Sequence, residues 1–369
     1  MALPPSVGGA LSLFPGRHLL NGMPNLVHAG TLDSLTNRET LQPLLGPLRS
    51  VTRTSSFSAG LSGAEFERVT VEAIDGSTLA LVTKRIRLRE SWTAYRSGDR
   101  QGREALLLGE PQLDGVWQAV SCPYLALARE GDLLGMVMVD LSAHLVPANL
   151  PLNRNGEDRF LHALARLHAG FWNGDALQLP WLAGPEDYFS ILCPRAPAEE
   201  ERRGNRSALF NSIKVGWELA LNLLPSSLAD LLLQPAQVLA WCVAGLPQTL
   251  LHGDAKVGNM ALLPDGAVAV FDWAVVGAGP ATFDLCYYLT VDSRRLSGPR
   301  EHVIARYRGF LEHELGLPLE EPVWQRMLDA GYLRSAVVLL WSKATALQSG
   351  EARAKEEWAW WVKRLERLL

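Results

Sequence analysis

An excess of basic charge is missing from this sequence: 35 Lys and Arg stand against 39 Asp and Glu, for a formal net charge of −4. A chain that grips nucleic acid through its phosphates carries a basic excess or stripe, so at most a local basic groove is left open and no nucleic-acid partner is expected. Cysteine is scarce too. Cys122, Cys193, Cys242 and Cys286 are widely scattered with no Cys-x-x-Cys pair, which excludes a zinc ribbon or a redox motif and reads as reduced thiols. Long apolar runs are absent: Leu133 to Val139 and Ala336 to Trp341 fall far short of the ~20 residues that cross a bilayer, so no membrane partner is expected. The first sixteen residues lack an early basic residue and are broken by Pro and Gly, unlike a secretory signal. A cytoplasmic location is the expectation.

What is present is the mix of an ordinary globular protein, 48% hydrophobic and 20% charged. At roughly 100–200 residues per domain, the length predicts about two domains. Residues 1–30 are rich in Pro and Gly and read as an extension. Thr31 to Leu45 predicts a short helix, broken at Pro43. Phe66 to Val71 and Leu79 to Ile86 alternate like strands around Asp75-Gly76, a pair that closes hairpins. Asp99 can cap a helix containing Arg103 to Leu108, and Tyr124 to Arg129 and Leu133 to Val139 read as two further strands. Beyond Asp140 the pattern turns helical. Glu157 to Trp172 puts Phe160, Leu161, Leu164, Leu167, His168 and Phe171 on one face, and Glu351 to Leu369 aligns Trp358, Trp361, Val362, Leu365 and Leu369. The mixed-sign run Glu199 to Arg203 reads as a solvated loop. The expected class is therefore α+β and bilobal, with a small antiparallel-sheet N-lobe over 31–139 and a larger, mainly helical C-lobe over 140–369.

Chemistry concentrates in Leu251 to Met260. His252-Gly253-Asp254 followed by Asn259 has the layout of a kinase catalytic loop. Phosphoryl transfer needs a carboxylate that receives or orients the acceptor hydroxyl and a nearby oxygen ligand for magnesium. Asp254 suits the first role and Asn259 the second. Pro264-Asp265-Gly266 then turns the chain into an apolar strand that ends at Asp272, where a carboxylate can reach the metal bridging the ATP phosphates.

These segments, with Gly279-Pro280 and Asp284-Leu285 after them, resemble the aminoglycoside phosphotransferase and choline kinase-like family of small-molecule kinases. The resemblance spans about 31–345 and is strongest over 251–286. It implies a protein-kinase-like fold with ATP, or GTP, and Mg2+ bound between the lobes, and a small-molecule hydroxyl acceptor.

On that layout Phe57 to Gly63, with Gly60, Ser62 and Gly63, fits a loop over the phosphates. Lys84 ends the second hairpin strand, where a kinase places its α/β-phosphate lysine; Arg85 and Arg87 are close competitors. Glu104 is the chosen ion-pair partner and Glu90 its rival. Met138 to Leu141 is the expected hinge, offering backbone groups to the adenine. Lys256, two residues beyond Asp254, is placed to neutralise charge on the transferred group. His252 and His168 read as structural, and Asp284 as a brace for the loop backbone. The complete set Lys84, Asp254, Asn259 and Asp272 argues against an inactive nucleotide-binding pseudokinase. The Trp273-Ala274 that follows Asp272 argues against a protein kinase.

Overall fold

The computed structural model describes residues 26–58, 63–148 and 150–369. Its N-terminal sheet contains β1 (Val27–His28), β2 (Leu48–Ser58), β3 (Glu65–Ala73), β4 (Thr78–Arg87), β5 (Tyr124–Glu130) and β6 (Leu133–Val139), in the order β1-β5-β6-β4-β3-β2. The β3–β4 hairpin turns where the sequence predicts. Gly76 takes the positive φ of +85°, and Asp75 accepts hydrogen bonds from the Ser77 amide (2.9 Å) and hydroxyl (2.6 Å). β4 is hydrogen-bonded on both sides, to β3 and β6, so its middle is sealed from water and Lys84 is only 3% exposed.

Two expectations need correcting here. The sheet is mixed, because β1 adds to β5 in parallel, Val27 opposite Ala126; a two-residue strand is too short to leave an alternation in the sequence. The segment 31–45 does break, but at Asn37, whose ψ of 151° leaves the helical region; Pro43 lies inside the helix Arg38–Leu45. Before the helix Arg103–Gly109, the Asp99 carboxylate accepts the amides of Gln101, Gly102 and Arg103 at 2.7–3.0 Å. That turn orients Glu104 into the lobe.

The second lobe is mainly helical. It also holds two short antiparallel pairings: β7 (Thr249–Leu251) against β10 (Gly277–Gly279), and β8 (Met260–Leu262) against β9 (Val268–Val270). The longest helix, Glu321–Gln348, packs on Ala208–Leu223 and on Thr282–Val291. Contact with the latter is close enough that a Cβ on Gly331 would meet the Thr282 carbonyl at 2.5 Å. Trp358, Trp361 and Leu365 of the last helix are buried against this core, as their spacing predicts, but Leu369 lies past the helix end and is exposed. The run 199–203 is not a solvated loop. It belongs to the helix Ala196–Arg202, and Glu200 is fully buried, accepting from Arg203 and Asn205. Glu157 is buried as well: it accepts from Tyr288 (2.6 Å) and pairs with Arg306 instead of facing water.

Candidate active site

The loop after β7 is held almost entirely through its backbone. The amides of His252 and Gly253 donate to the two oxygens of Asp284 (2.7 and 2.8 Å), and the Val257 amide donates to Asp292 (2.8 Å). Arg334, from the long helix, donates to the Gly253 carbonyl at 2.7 Å. Gly253 has φ +82°, and a Cβ there would meet the Val275 carbonyl at 2.3 Å, so only glycine fits this turn. His252 accepts the Asp254 amide on Nδ1 (3.2 Å) and faces the Phe271 carbonyl with Nε2 (3.0 Å), which fixes its proton on Nε2 and makes the ring a strut.

Asp284 is itself braced. Its Oδ2 lies 3.3 Å from His168 Nε2, and His168 Nδ1 meets the Tyr307 hydroxyl at 2.5 Å. Burial alone would raise the Asp284 carboxyl, but the hydrogen bond with His168, the two imidazoles beside it and the Gly253 amide hold it below the ordinary range. A carboxyl depressed on folding contributes stability above its unfolded value and loses it as the pH falls through the folded one. Asp284→Asn is therefore expected to cost about 3 kcal/mol at neutral pH and to flatten the loss of stability below about pH 4, as measured by thermal unfolding across pH.

Lys84 comes into the cleft from the other lobe. Its Nζ lies 2.6 Å from Glu104 Oε2 and 2.7 Å from Asp272 Oδ1, 188 residues away. Burial pulls the ammonium pKa down, and the charges of Asp272 and Glu104 more than reverse it, so Lys84 stays protonated. Glu90 pairs with Arg87 instead (3.2 Å). Tyr124, which sequence reading passes over as a strand residue, ties the group together: its hydroxyl donates to Glu104 Oε1 at 2.5 Å and accepts the Asp272 amide at 2.9 Å. Asp272 sits two residues past β9 with φ +66°, a left-handed conformation in which few residue types other than Gly, Asn and Asp are at ease. Lys84 and Lys256 hold its carboxyl low against burial.

Asp254 faces the same space. Its Oδ2 accepts from Asn259 Nδ2 (2.9 Å) and from the Lys256 ammonium. Lys256 is kept charged by Asp254 foremost, then Asp272 and Asp292, against the pull of burial. Asp254, Lys256, Asn259, Asp272, Lys84, Glu104 and Met138 all line one cleft of about 630 Å³ between the lobes. In the expected hinge beside Met138, the Val139 and Asp140 amides donate to the Pro123 and Ala80 carbonyls (2.9 Å each). Gly63 is described, with φ +77°, and does not line the cleft; Gly60 and Ser62 lie outside the described residues. Phe57 and Phe66, which flank that loop, stack at 5.5 Å on the cleft wall. Tyr287 and Arg334 also line it, and Arg334 carries no local sequence signal.

Among the described residues no three His, Cys, Asp or Glu side chains cluster as a metal cage. A carboxylate and an amide oxygen at the mouth of a phosphate-sized cleft nonetheless suit Mg2+, which keeps its waters and shares substrate phosphates. Among the same residues no helix is long and apolar enough to cross a membrane.

No curated protein matches the chain. Solved structures give broad but distant likenesses. An aminoglycoside phosphotransferase from Alicyclobacillus acidocaldarius is 14% identical with a TM-score of 0.47, covering 85% of this chain and 90% of that one. The choline kinase LicA from Streptococcus pneumoniae is 14% identical at 0.44, covering 89% and 97%. The macrolide 2'-phosphotransferase MphH from Brachybacterium faecium is 17% identical at 0.41, covering 87% and 92%. A family model, the phosphotransferase enzyme family (APH), matches residues 116–318. That match takes in Asp254, Lys256, Asn259 and Asp272 and leaves Lys84 and Glu104 to the geometry. Spanning more than half of the sequence, it establishes that this chain belongs to the phosphotransferase enzyme family.

Proposed function

We propose that the protein is an ATP-dependent kinase that phosphorylates a hydroxyl group of a small molecule. The observation that carries this reading is the meeting of Lys84 from the sheet lobe with Asp272 from the helical lobe at 2.7 Å, in a cleft that also holds Asp254 and Asn259. In this reading residues 31–139 bind the nucleotide, and 140–369 supply the catalytic loop and the acceptor site.

Each side chain then has a task its surroundings support. Lys84, permanently charged and fixed by Glu104, binds the α- and β-phosphates; Tyr124 holds Glu104 and the Asp272 backbone in register. Asp272 and Asn259 offer the oxygens for magnesium. When bound, magnesium neutralises charge on the β- and γ-phosphate oxygens. Asp254 accepts or orients the proton of the acceptor hydroxyl. Lys256 places a positive charge beside it, where negative charge shifts during transfer. Most of the rate comes from positioning and neutralisation, since the transition state is loose. Gly60, Ser62 and Gly63 remain candidates for closing over the phosphates, and GTP is the alternative donor.

The test is to incubate the purified chain with γ-labelled ATP, Mg2+ and a mixed set of small hydroxyl compounds. Label is expected on a small molecule. Label on protein would indicate a protein kinase, and retention of all label on ATP despite tight binding would indicate a pseudokinase.

A further inference from the structure

The cleft continues past Asp254 into the helical lobe, and the chemistry of that wall narrows the acceptor. It is built from Trp92, Leu192, Leu209, Tyr287, Leu339 and Trp341. These come from segments far apart in sequence, locked together by contacts such as Trp92 against Phe210 (5.5 Å, edge to face). Each of the six is only half-buried while lining the cleft. Apolar surface presented this way in a concave site is matched by an apolar ligand.

Charge points the same way. Four carboxylates line the whole cleft, and each already has a cation: Glu104 and Asp272 share Lys84, Asp254 has Lys256, and Asp140 lies 3.4 Å from Arg68. A positively charged acceptor would have to share one of these carboxylates with a cation already on it. The remaining charged group on the lining is Arg334, and among the described residues it has no carboxylate partner. It is 1% exposed, its Nε and Nη1 have no hydrogen-bond partner among the described residues, and its guanidinium lies 4.4 Å from the Tyr287 ring centroid and 5.4 Å from that of Tyr188. The Tyr287 face, an aromatic surface on which a quaternary ammonium would settle, is thus already covered by a cation.

We propose that the acceptor is an alcohol with a bulky apolar body and no positive charge, and that Arg334, stacked on Tyr287 beside the catalytic loop, disfavours cationic alcohols. This deepens the kinase reading and rests on it. Arg334 acts through field and packing, and by holding the Gly253 carbonyl, so it is a specificity and positioning residue.

The test uses the full chain with three readouts: calorimetric binding of Mg·ATP, ADP release, and quenching of the part of the tryptophan fluorescence that Trp92→Phe and Trp341→Phe remove, which reports the wall apart from the other tryptophans. Probes are size-matched neutral alcohols (cyclohexyl, terpene and sterol alcohols) and cationic ones (choline and an aminoglycoside). Neutral apolar alcohols are expected to quench and to be phosphorylated with kcat/KM at least about tenfold above the cationic set. Leu209→Asp, which adds an unpartnered carboxylate on the half-buried wall, is expected to reverse that preference while Mg·ATP affinity holds. Cationic alcohols preferred by the wild type, or neutral alcohols that neither quench nor react while Mg·ATP binds, would overturn the proposal. Failure of Mg·ATP to bind at all strikes the kinase reading instead, and quenching by the neutral alcohols still reports on the wall.

Discussion

Asp254→Asn is expected to lower kcat by about 10²- to 10⁴-fold while ATP affinity stays close to that of the wild type. The substitution is nearly isosteric, and its amide oxygen can still accept from Lys256 and Asn259, the two side chains that hold Asp254 in place. What it removes is the negative charge that draws the acceptor proton. Steady-state kinetics beside calorimetric nucleotide binding separates the two effects, and full activity in this variant would remove Asp254 from the chemistry. A loss of binding equal to the loss of turnover would mean that the residue shapes the loop and does no more.

Asp272→Asn carries the second large effect. Asparagine is chosen over alanine because residue 272 has φ +66°, which Asn tolerates and Ala does not. Lys84 keeps Glu104 as its partner in this variant, so the sheet side of the cleft stays assembled. On the proposed reading, the magnesium site loses its charged ligand. ATP affinity measured across a magnesium titration should therefore lose most of its metal dependence. Losing even an outer partner of a metal ligand costs about 10- to 100-fold, and losing the ligand itself should cost no less. A magnesium response like that of the wild type would take the metal away from Asp272.

Both variants lie in the segment whose chemistry is most legible in the sequence, and the reason is locality. Asp254, Lys256, Asn259 and Asp272 fall within nineteen residues, joined by a loop and a hairpin whose turn residues announce themselves. Lys84 and Glu104 are legible by position, at the end of an alternating strand and in the first turn of a capped helix. Tyr124 and Arg334 are not. Each reaches the cleft through long-range packing: Tyr124 bonds an amide 148 residues away, and Arg334 a carbonyl 81 residues away. In one dimension they look like an ordinary strand aromatic and a helix-surface arginine.

The fold divides in the same way. Hairpins and amphipathic helices of two turns or more leave a period in the sequence, and β3, β4, β5, β6 and the last helix stand where alternation or a 3.6-residue stripe puts them. The parallel β1 pairing leaves no such trace. The buried acid Glu200 misleads for a physical reason: a carboxylate reads as surface unless its partners are known, and Arg203 and Asn205 close on it only when the chain folds.

The central claim, that one Mg·ATP is gripped by Lys84 from one lobe and by Asp272 and Asn259 from the other, is tested most directly by an experimental structure of the chain with magnesium and a non-hydrolysable ATP analogue. The account predicts the triphosphate within hydrogen-bonding distance of Lys84, the metal on Asp272 and Asn259, and Asp254 facing the γ-phosphate across the acceptor space. A nucleotide bound elsewhere, or a metal held away from both Asp272 and Asn259, would contradict it.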